Sequence, residues 1–192
     1  MTHSEAGSSD SLRSLRDRPF ELLKELERRN RPVASGPAQD PNAGQEWVGV
    51  AFRMGGETFL VAREETREVL GYPATVTRIP GTKGWVRGLA NIRGQLLPML
   101  DLRLFLGSGT TPSSRNTRII VVNHRDVPAG LIVDEVLGFR RFAEREFNVE
   151  PPPTVIRCDS YLAGAFRRGG EVWPVLSLRA LVESESFLQA AS

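Results

Sequence analysis

Trp85-Val86-Arg87-Gly88-Leu89-Ala90-Asn91-Ile92-Arg93-Gly94-Gln95-Leu96-Leu97-Pro98-Met99-Leu100-Asp101-Leu102-Arg103-Leu104-Phe105-Leu106-Gly107 is the stretch from which the fold is read. Val86, Leu89 and Ile92 stand among polar or small neighbours, the pattern of a half-buried strand. Arg93-Gly94 supplies a tight turn, because Gly94 takes a positive φ without steric cost. Gln95 to Leu100 is mostly apolar and reads as a strand buried on both faces. Pro98 cannot donate to a ladder, so that strand must be an edge or carry a bulge there. Asp101 is a strong N-cap for a short helix that turns Leu102, Phe105 and Leu106 inward, and Gly107 ends it.

The pattern recurs. Superimposing Pro98 on Pro174 pairs Gly88 with Gly164, Gly94 with Gly170, Leu100 with Leu176, Leu102 with Leu178, Arg103 with Arg179 and Leu106 with Val182. Asp101 falls on Ser177, another N-cap residue. Upstream, Glu68-Val69-Leu70-Gly71-Tyr72 is echoed by Glu135-Val136-Leu137-Gly138-Phe139, at a different offset, so the intervening loops differ in length. The chain therefore reads as two homologous halves, each a small β unit. Residues the fold needs should appear in both halves, and residues found once are free to serve a partner. Asn91 falls on Arg167 and Arg93 on Gly169, so neither is repeated. Asn-x-Arg-Gly also reads as a local Asx-type turn with no further role. Both readings of Arg93 stand at this point.

Gly88-x-x-Asn91-Ile92-Arg93-Gly94 followed by Leu97-Pro98-Met99-Leu100-Asp101-Leu102-Arg103 resembles the CheW-type coupling proteins of bacterial chemosensory pathways. The resemblance spans roughly Trp47 to Leu188. Phe52-Arg53-Met54-Gly55-Gly56, Ala129-Gly130-Leu131-Ile132-Val133-Asp134-Glu135-Val136 and Pro19-Phe20-Glu21-Leu22-Leu23 bring it closer to the branch serving type IV pilus twitching systems. The resemblance implies a mainly β fold of two five-stranded β-barrels with short helices around a shared hydrophobic seam. It implies an adaptor joining the cytoplasmic tip of a methyl-accepting chemoreceptor to the regulatory domain of a CheA-like histidine kinase. It places receptor contacts at Arg93 with Asn91, and at Thr66 and Glu68, and it names no kinase-contact residue. A flagellar chemotaxis pathway is the alternative within the same family.

The chain has 192 residues, with 25 Lys+Arg against 23 Asp+Glu. A net charge of +2 with interspersed signs is no nucleic-acid footprint. A small β-barrel that binds single strands is the competing class, but Trp47, Trp85 and Trp173 sit in apolar strand patterns that suit a core better than a stacking platform. Cys158, the single cysteine, excludes an intrachain disulfide and reads as a buried, inert thiol of a reducing compartment. His3 and His124 belong to no ligand-spaced cluster, and Gly55-Gly56 and Gly169-Gly170 read as hairpin turns rather than a phosphate cradle. No enzyme, metal or cofactor is expected. The first residues lack the basic start and apolar centre of a signal peptide, and no apolar run has the length of a membrane span. A cytoplasmic protein recruited to receptor arrays is expected.

In chain order, residues 1–45 read as an extension: a polar, Ser-rich start, an amphipathic helix over about 17–30 with Phe20, Leu22, Leu23 and Leu26 on one face, and a Pro/Gly linker. That helix either lies back on the barrels or docks a partner. Residues 46–188 form the domain. Trp47 to Phe52 and Thr58 to Ala62 read as a hairpin, Arg63 to Glu68 as a charged helical turn, and Val69 to Gly71 as a strand. Arg118 to Asn123 and Ala129 to Val136 read as strands, and Arg140 to Glu146 as irregular. Because the repeat lies wholly after Gln45, a chain beginning at Glu46 is expected to unfold cooperatively on heating. Loss of that transition would make the extension part of the core.

Overall fold

A computed structural model of the chain describes residues 46–190, so the expected helix and linker lie outside the described residues. The stretch around Pro98 forms a hairpin of β4 (Val86–Ile92) and β5 (Gln95–Asp101), followed by the one-turn helix α1 (Leu102–Phe105). Its repeat forms β10 (Leu162–Arg168), β11 (Glu171–Leu176) and α2 (Leu178–Val182), with α3 (Glu185–Leu188) after a break. The remaining strands are β1 (Glu46–Met54), β2 (Glu57–Ala62), β3 (Thr66–Gly71), β6 (Arg118–Val122), β7 (Gly130–Val133), β8 (Glu135–Ala143) and the two-residue β9 (Phe147–Asn148).

These strands make two sheets, in the orders β8-β1-β2-β11-β10-β9 and β3-β6-β7-β5-β4. The repeat equates β3 with β8, β4 with β10 and β5 with β11, which places the β6–β7 hairpin where the other sheet has β1–β2. The halves are therefore not separate β units, as the repeat alone suggests. Each sheet takes one hairpin from one repeat and its other strands from the other repeat, three in the five-stranded sheet and four, with the short β9, in the six-stranded one. The joints are two parallel ladders: β5 on β7 from Met99 opposite Gly130, and β11 on β2 at Val175 opposite Leu60. Pro98 and Pro174 sit one residue before these joints, where the strand still has a free edge and no donor is missed.

The remaining details repeat as closely. Gly88 and Gly164 lie in bulges with φ of 137° and 147°. A Cβ there would stand 2.1 Å from the Thr77 carbonyl oxygen in one case and 2.4 Å from that of Asn148 in the other. The Asp101 N–H donates to Trp85 O, and the Ser177 N–H to Tyr161 O, both at 2.8 Å. The sixth strand, β9 on β10, has its counterpart in the single bridge of Thr77 to Leu89.

Central strands are buried on both faces, which accounts for their continuous apolar runs. Alternate residues feed different clusters. Phe52, Phe59, Val61, Leu100, Ile120, Leu131 and Val133 meet in a seam between the sheets, with Leu102, Leu178, Leu181 and Phe187 from the helices. Leu97, Met99, Ile119, Val121 and Ile132 fill the inside of the five-stranded sheet, and Leu60, Phe142, Phe166 and Val175 that of the other. Trp47 and Trp173 pack on the latter and Trp85 on the seam, as expected of core tryptophans. Cys158 is buried in the seam, and burial pushes its thiol pKa up.

Two local expectations are corrected. Arg140 to Glu146 is not irregular: β8 runs to Ala143, paired with β1 along its length, and turns Phe142 inward while Arg141 faces out. Of the charged turn only Arg63–Glu65 is helical, because Thr66 already pairs with β6.

Both N-caps form, with unequal support. The buried Asp101 carboxylate accepts from Leu104 N at 3.1 Å, Thr111 N at 3.1 Å and Thr111 Oγ1 at 2.8 Å, which pins the loop after α1. Ser177 Oγ accepts from Ala180 N at 3.2 Å, and the Glu65 carboxylate takes Leu178 N at 2.6 Å. Asp101→Ala is expected to cost about 2–4 kcal/mol, a lost cap plus buried donors left unpaired. Ser177→Ala should cost only about 1 kcal/mol, since Glu65 still serves the helix start. Denaturant unfolding of the two variants checks the order.

Candidate functional site

The β4–β5 turn places Arg93 at φ 51° and Gly94 at φ 84°, the paired left-handed residues of the turn type that matches strand twist. The repeat builds the same turn from Gly169 at 60° and Gly170 at 84°. Among the described residues Arg93 is the one non-glycine with a positive φ. A side chain in that region costs about 1–2 kcal/mol, and the other half of the molecule avoids the cost with glycine. Asn91 offsets part of it: its Oδ1 accepts the Gly94 N–H at 2.8 Å and holds the turn closed. The Asx reading of Asn91 is correct, and it leaves Arg93 as the group the turn displays.

Arg93 Nη1 lies 2.9 Å from Glu68 Oε2, with the arginine side chain 75% exposed and the glutamate 25%. Glu68 is on β3 and Arg93 beyond the end of β4, the two outer strands of the five-stranded sheet, so the sheet curls until its edges meet at this pair. In the other sheet Arg168, at the end of β10, grips the Glu146 carboxylate just beyond β8 and lies over the Phe142 ring. That grip holds the Glu146 carboxyl well below the usual carboxylate range.

Three of the four expected site residues thus converge on one rim. Thr66 does not join them: its hydroxyl faces Ala62 O at 3.3 Å, and a bulge in β3 separates it from Glu68. Below the rim lies a cleft of about 760 Å³, walled by β3, the start of β5, the β6–β7 loop and α2. Its arginines are Arg67, Arg93, Arg125 and Arg179. Its floor is apolar, from Ile92, Leu97 and Leu96, the last 67% exposed.

Leu96 corrects the expectation of a strand buried on both faces. The parallel joint starts only at Met99, so the first residues of β5 are left as a cleft wall. Nothing in the apolar run of the sequence distinguishes Leu96 from Leu97; only strand pairing does. His124 was legible as a turn residue and not as a brace. Its Nδ1 accepts from Asp126 N at 3.3 Å and Val127 N at 3.2 Å, so Nε2 carries the proton toward Glu183 Oε1, 3.2 Å away. Glu65 ties the start of β3 to α2. The walls are braced to one another, and the cleft is suited to recognition by an apolar floor and guanidinium forks. Among the described residues no cluster of His, Cys, Asp or Glu is arranged to hold a metal ion, and no helix is long and apolar enough to cross a membrane.

The CheW-like domain family matches residues 48–186. The chain is 42% identical to protein PilI of Pseudomonas aeruginosa over 173 residues, 90% of this chain and 96% of that protein. Similarity over so much of the chain takes in part of residues 1–45. Chemotaxis protein CheW of Helicobacter pylori is 25% identical over 85% of this chain and 97% of its own length. Among solved structures, the scaffolding protein TtCheW of Thermoanaerobacter tengcongensis superposes with a TM-score of 0.65 at 27% identity, covering 74% of this chain and 96% of that one.

Backbone strain at Arg93 has a direct check. Arg93→Gly loses the exposed ion pair but removes the left-handed side chain, whereas Arg93→Ala loses the pair and keeps the strain. Arg93→Gly is expected to be the more stable of the two by about 1 kcal/mol. The reverse order in denaturant unfolding would show the turn to be unstrained.

Proposed function

The chain belongs to the CheW-like family, and from that premise we propose that it is a non-catalytic adaptor joining a methyl-accepting chemoreceptor to a CheA-like histidine kinase. The observation that carries the reading is Arg93: a largely exposed guanidinium, steadied by Glu68, on a turn where the repeat uses glycine, at the rim of a cleft with apolar and charged lining. A strained residue that the fold does not require is retained for what it touches. A receptor tip is a helical hairpin, and an arginine fork reaches its carboxylates or its terminal carbonyls. Glu68 holds the fork in place before binding, and Asn91 acts through the turn rather than by contact.

The mechanism is positional. The adaptor carries the kinase to a place where receptor conformation biases its activity, a coupling between two binding sites and not a reaction. The kinase's regulatory domain is itself a double barrel of this kind, so it meets the adaptor through related surfaces. No cofactor enters this scheme. Likeness to PilI supports a pathway that controls type IV pilus twitching motility. The adaptor works in the cytoplasm, drawn to the membrane by its receptor.

Guanidinium recognition depends on a planar fork that lysine lacks. Arg93→Ala is expected to weaken binding of a receptor-tip fragment by roughly 30-fold, about 2 kcal/mol at an interface hot spot. Arg93→Lys should weaken it nearly as much, and both variants should bind the kinase regulatory domain like the wild type. Recovery with lysine would replace the fork by a plain charge effect. Parallel loss of both partners would remove Arg93 as a dedicated receptor contact.

A further inference from the structure

The internal repeat should give this molecule two clefts, and it does. Three positions of the Arg93 cleft, Leu96, Leu97 and Pro128, have Val172, Trp173 and Thr58 as counterparts, and these line a second cleft of about 410 Å³. The equivalence follows from the proline superposition and from the two parallel joints, which set Gly130 against Met99 as Leu60 is set against Val175. One cleft is open. The other, smaller one is walled along one side by a longer connection of the chain.

The difference traces to one connection. Thr77 corresponds to Asn148 and Trp85 to Tyr161, by the bridges and carbonyl bonds they share. Residues 78–84 join the first pair, seven residues, against 149–160, twelve residues, for the second. The longer connection forms one side of the second cleft with Pro152, Pro153 and Thr154 and is then tied down. Glu57, at the start of β2, takes the N–H of Val155 on one carboxylate oxygen at 2.9 Å and that of Ile156 on the other at 3.0 Å. Ile156 is buried in the seam, with its Cδ1 only 2.8 Å from where a Cβ on Gly55 would be. Val155, one residue before it, is 85% exposed, and the three prolines ahead of it have no N–H to donate.

We propose that residues 151–158 are a strap bound in cis along the second cleft, latched by the Glu57 carboxylate and anchored by Ile156, and that the narrowing of this cleft makes a two-fold repeat one-sided. The strap binds its cleft as a peptide ligand would, by two backbone donors on a carboxylate and an aliphatic anchor. It leaves the Arg93 cleft as the one open to a receptor, a consequence that rests on the adaptor reading above. The latch itself does not.

Cys158 reports on the strap directly, because it is the chain's only cysteine and is buried at the strap's own end. On the full chain, Glu57→Ala is expected to raise the rate of Cys158 labelling by N-ethylmaleimide about tenfold or more, with faster exchange of the Val155 and Ile156 amides, by local opening. Asp101→Ala, which destabilises the molecule elsewhere, is the control for global unfolding. Unchanged labelling in Glu57→Ala, or an increase no greater than the control's at matched stability, overturns the strap. Titration of wild type with a receptor-tip fragment should saturate at one fragment per chain, and two would overturn the one-sidedness. Absence of any receptor binding would instead be the failure of the adaptor reading, with the labelling result still deciding the strap.

Discussion

Two short parallel ladders, β5 against β7 and β11 against β2, hold this structure together. Each joins hairpins from different repeats, so neither sheet exists without strands from both halves. Pairing of this kind demands strands buried on both faces, and Ile119 to Val122, Leu131 to Val133 and Phe59 to Val61 meet that demand with unbroken apolar side chains. One set of alternate residues fills the sheet's own interior and the other fills the seam. The prolines just ahead of each joint mark where the ladder may begin, because a residue without an N–H is tolerated only beside a free edge.

Near-symmetry in the framework makes the departures from it informative. Bulge glycines, prolines, N-caps and the hydrogen bonds from Asp101 and Ser177 are duplicated, and they account for folding. Arginine in place of glycine at the β4–β5 turn, and five extra residues in the second connection, are not duplicated. The first displays a guanidinium over the larger cleft, and the second walls the smaller, matching cleft on the opposite half.

Charge plays a secondary part in stability. Arg93–Glu68 and Arg168–Glu146 each bring together the ends of a curled sheet, yet both lie at the surface, where ion pairs contribute little. Polar groups away from the open surface do more for the fold: the buried Asp101 carboxylate holds both the start of α1 and the loop after it, and the half-buried Glu65 fastens β3 to α2. The cleft near Arg93 inherits its rigidity from that second brace.

The sequence by itself determined the hairpin around Gly94, the caps at Asp101 and Ser177, the repeat and, by resemblance, the family. These depend on neighbours along the chain: a glycine's φ, a carboxylate three residues from an N–H, alternation on a strand. It also separated Arg93 from the structural residues around it, since a comparison of two halves needs no coordinates. Tertiary structure alone decided that the halves exchange hairpins, that Leu96 is a cleft wall while Leu97 is core, that Arg140 to Ala143 continues a strand, and that Ile156 is buried in the seam. Each of those depends on which strand lies alongside which, and pairing between residues far apart in sequence is set by the burial of both faces at once, a property that no local stretch of this chain carries.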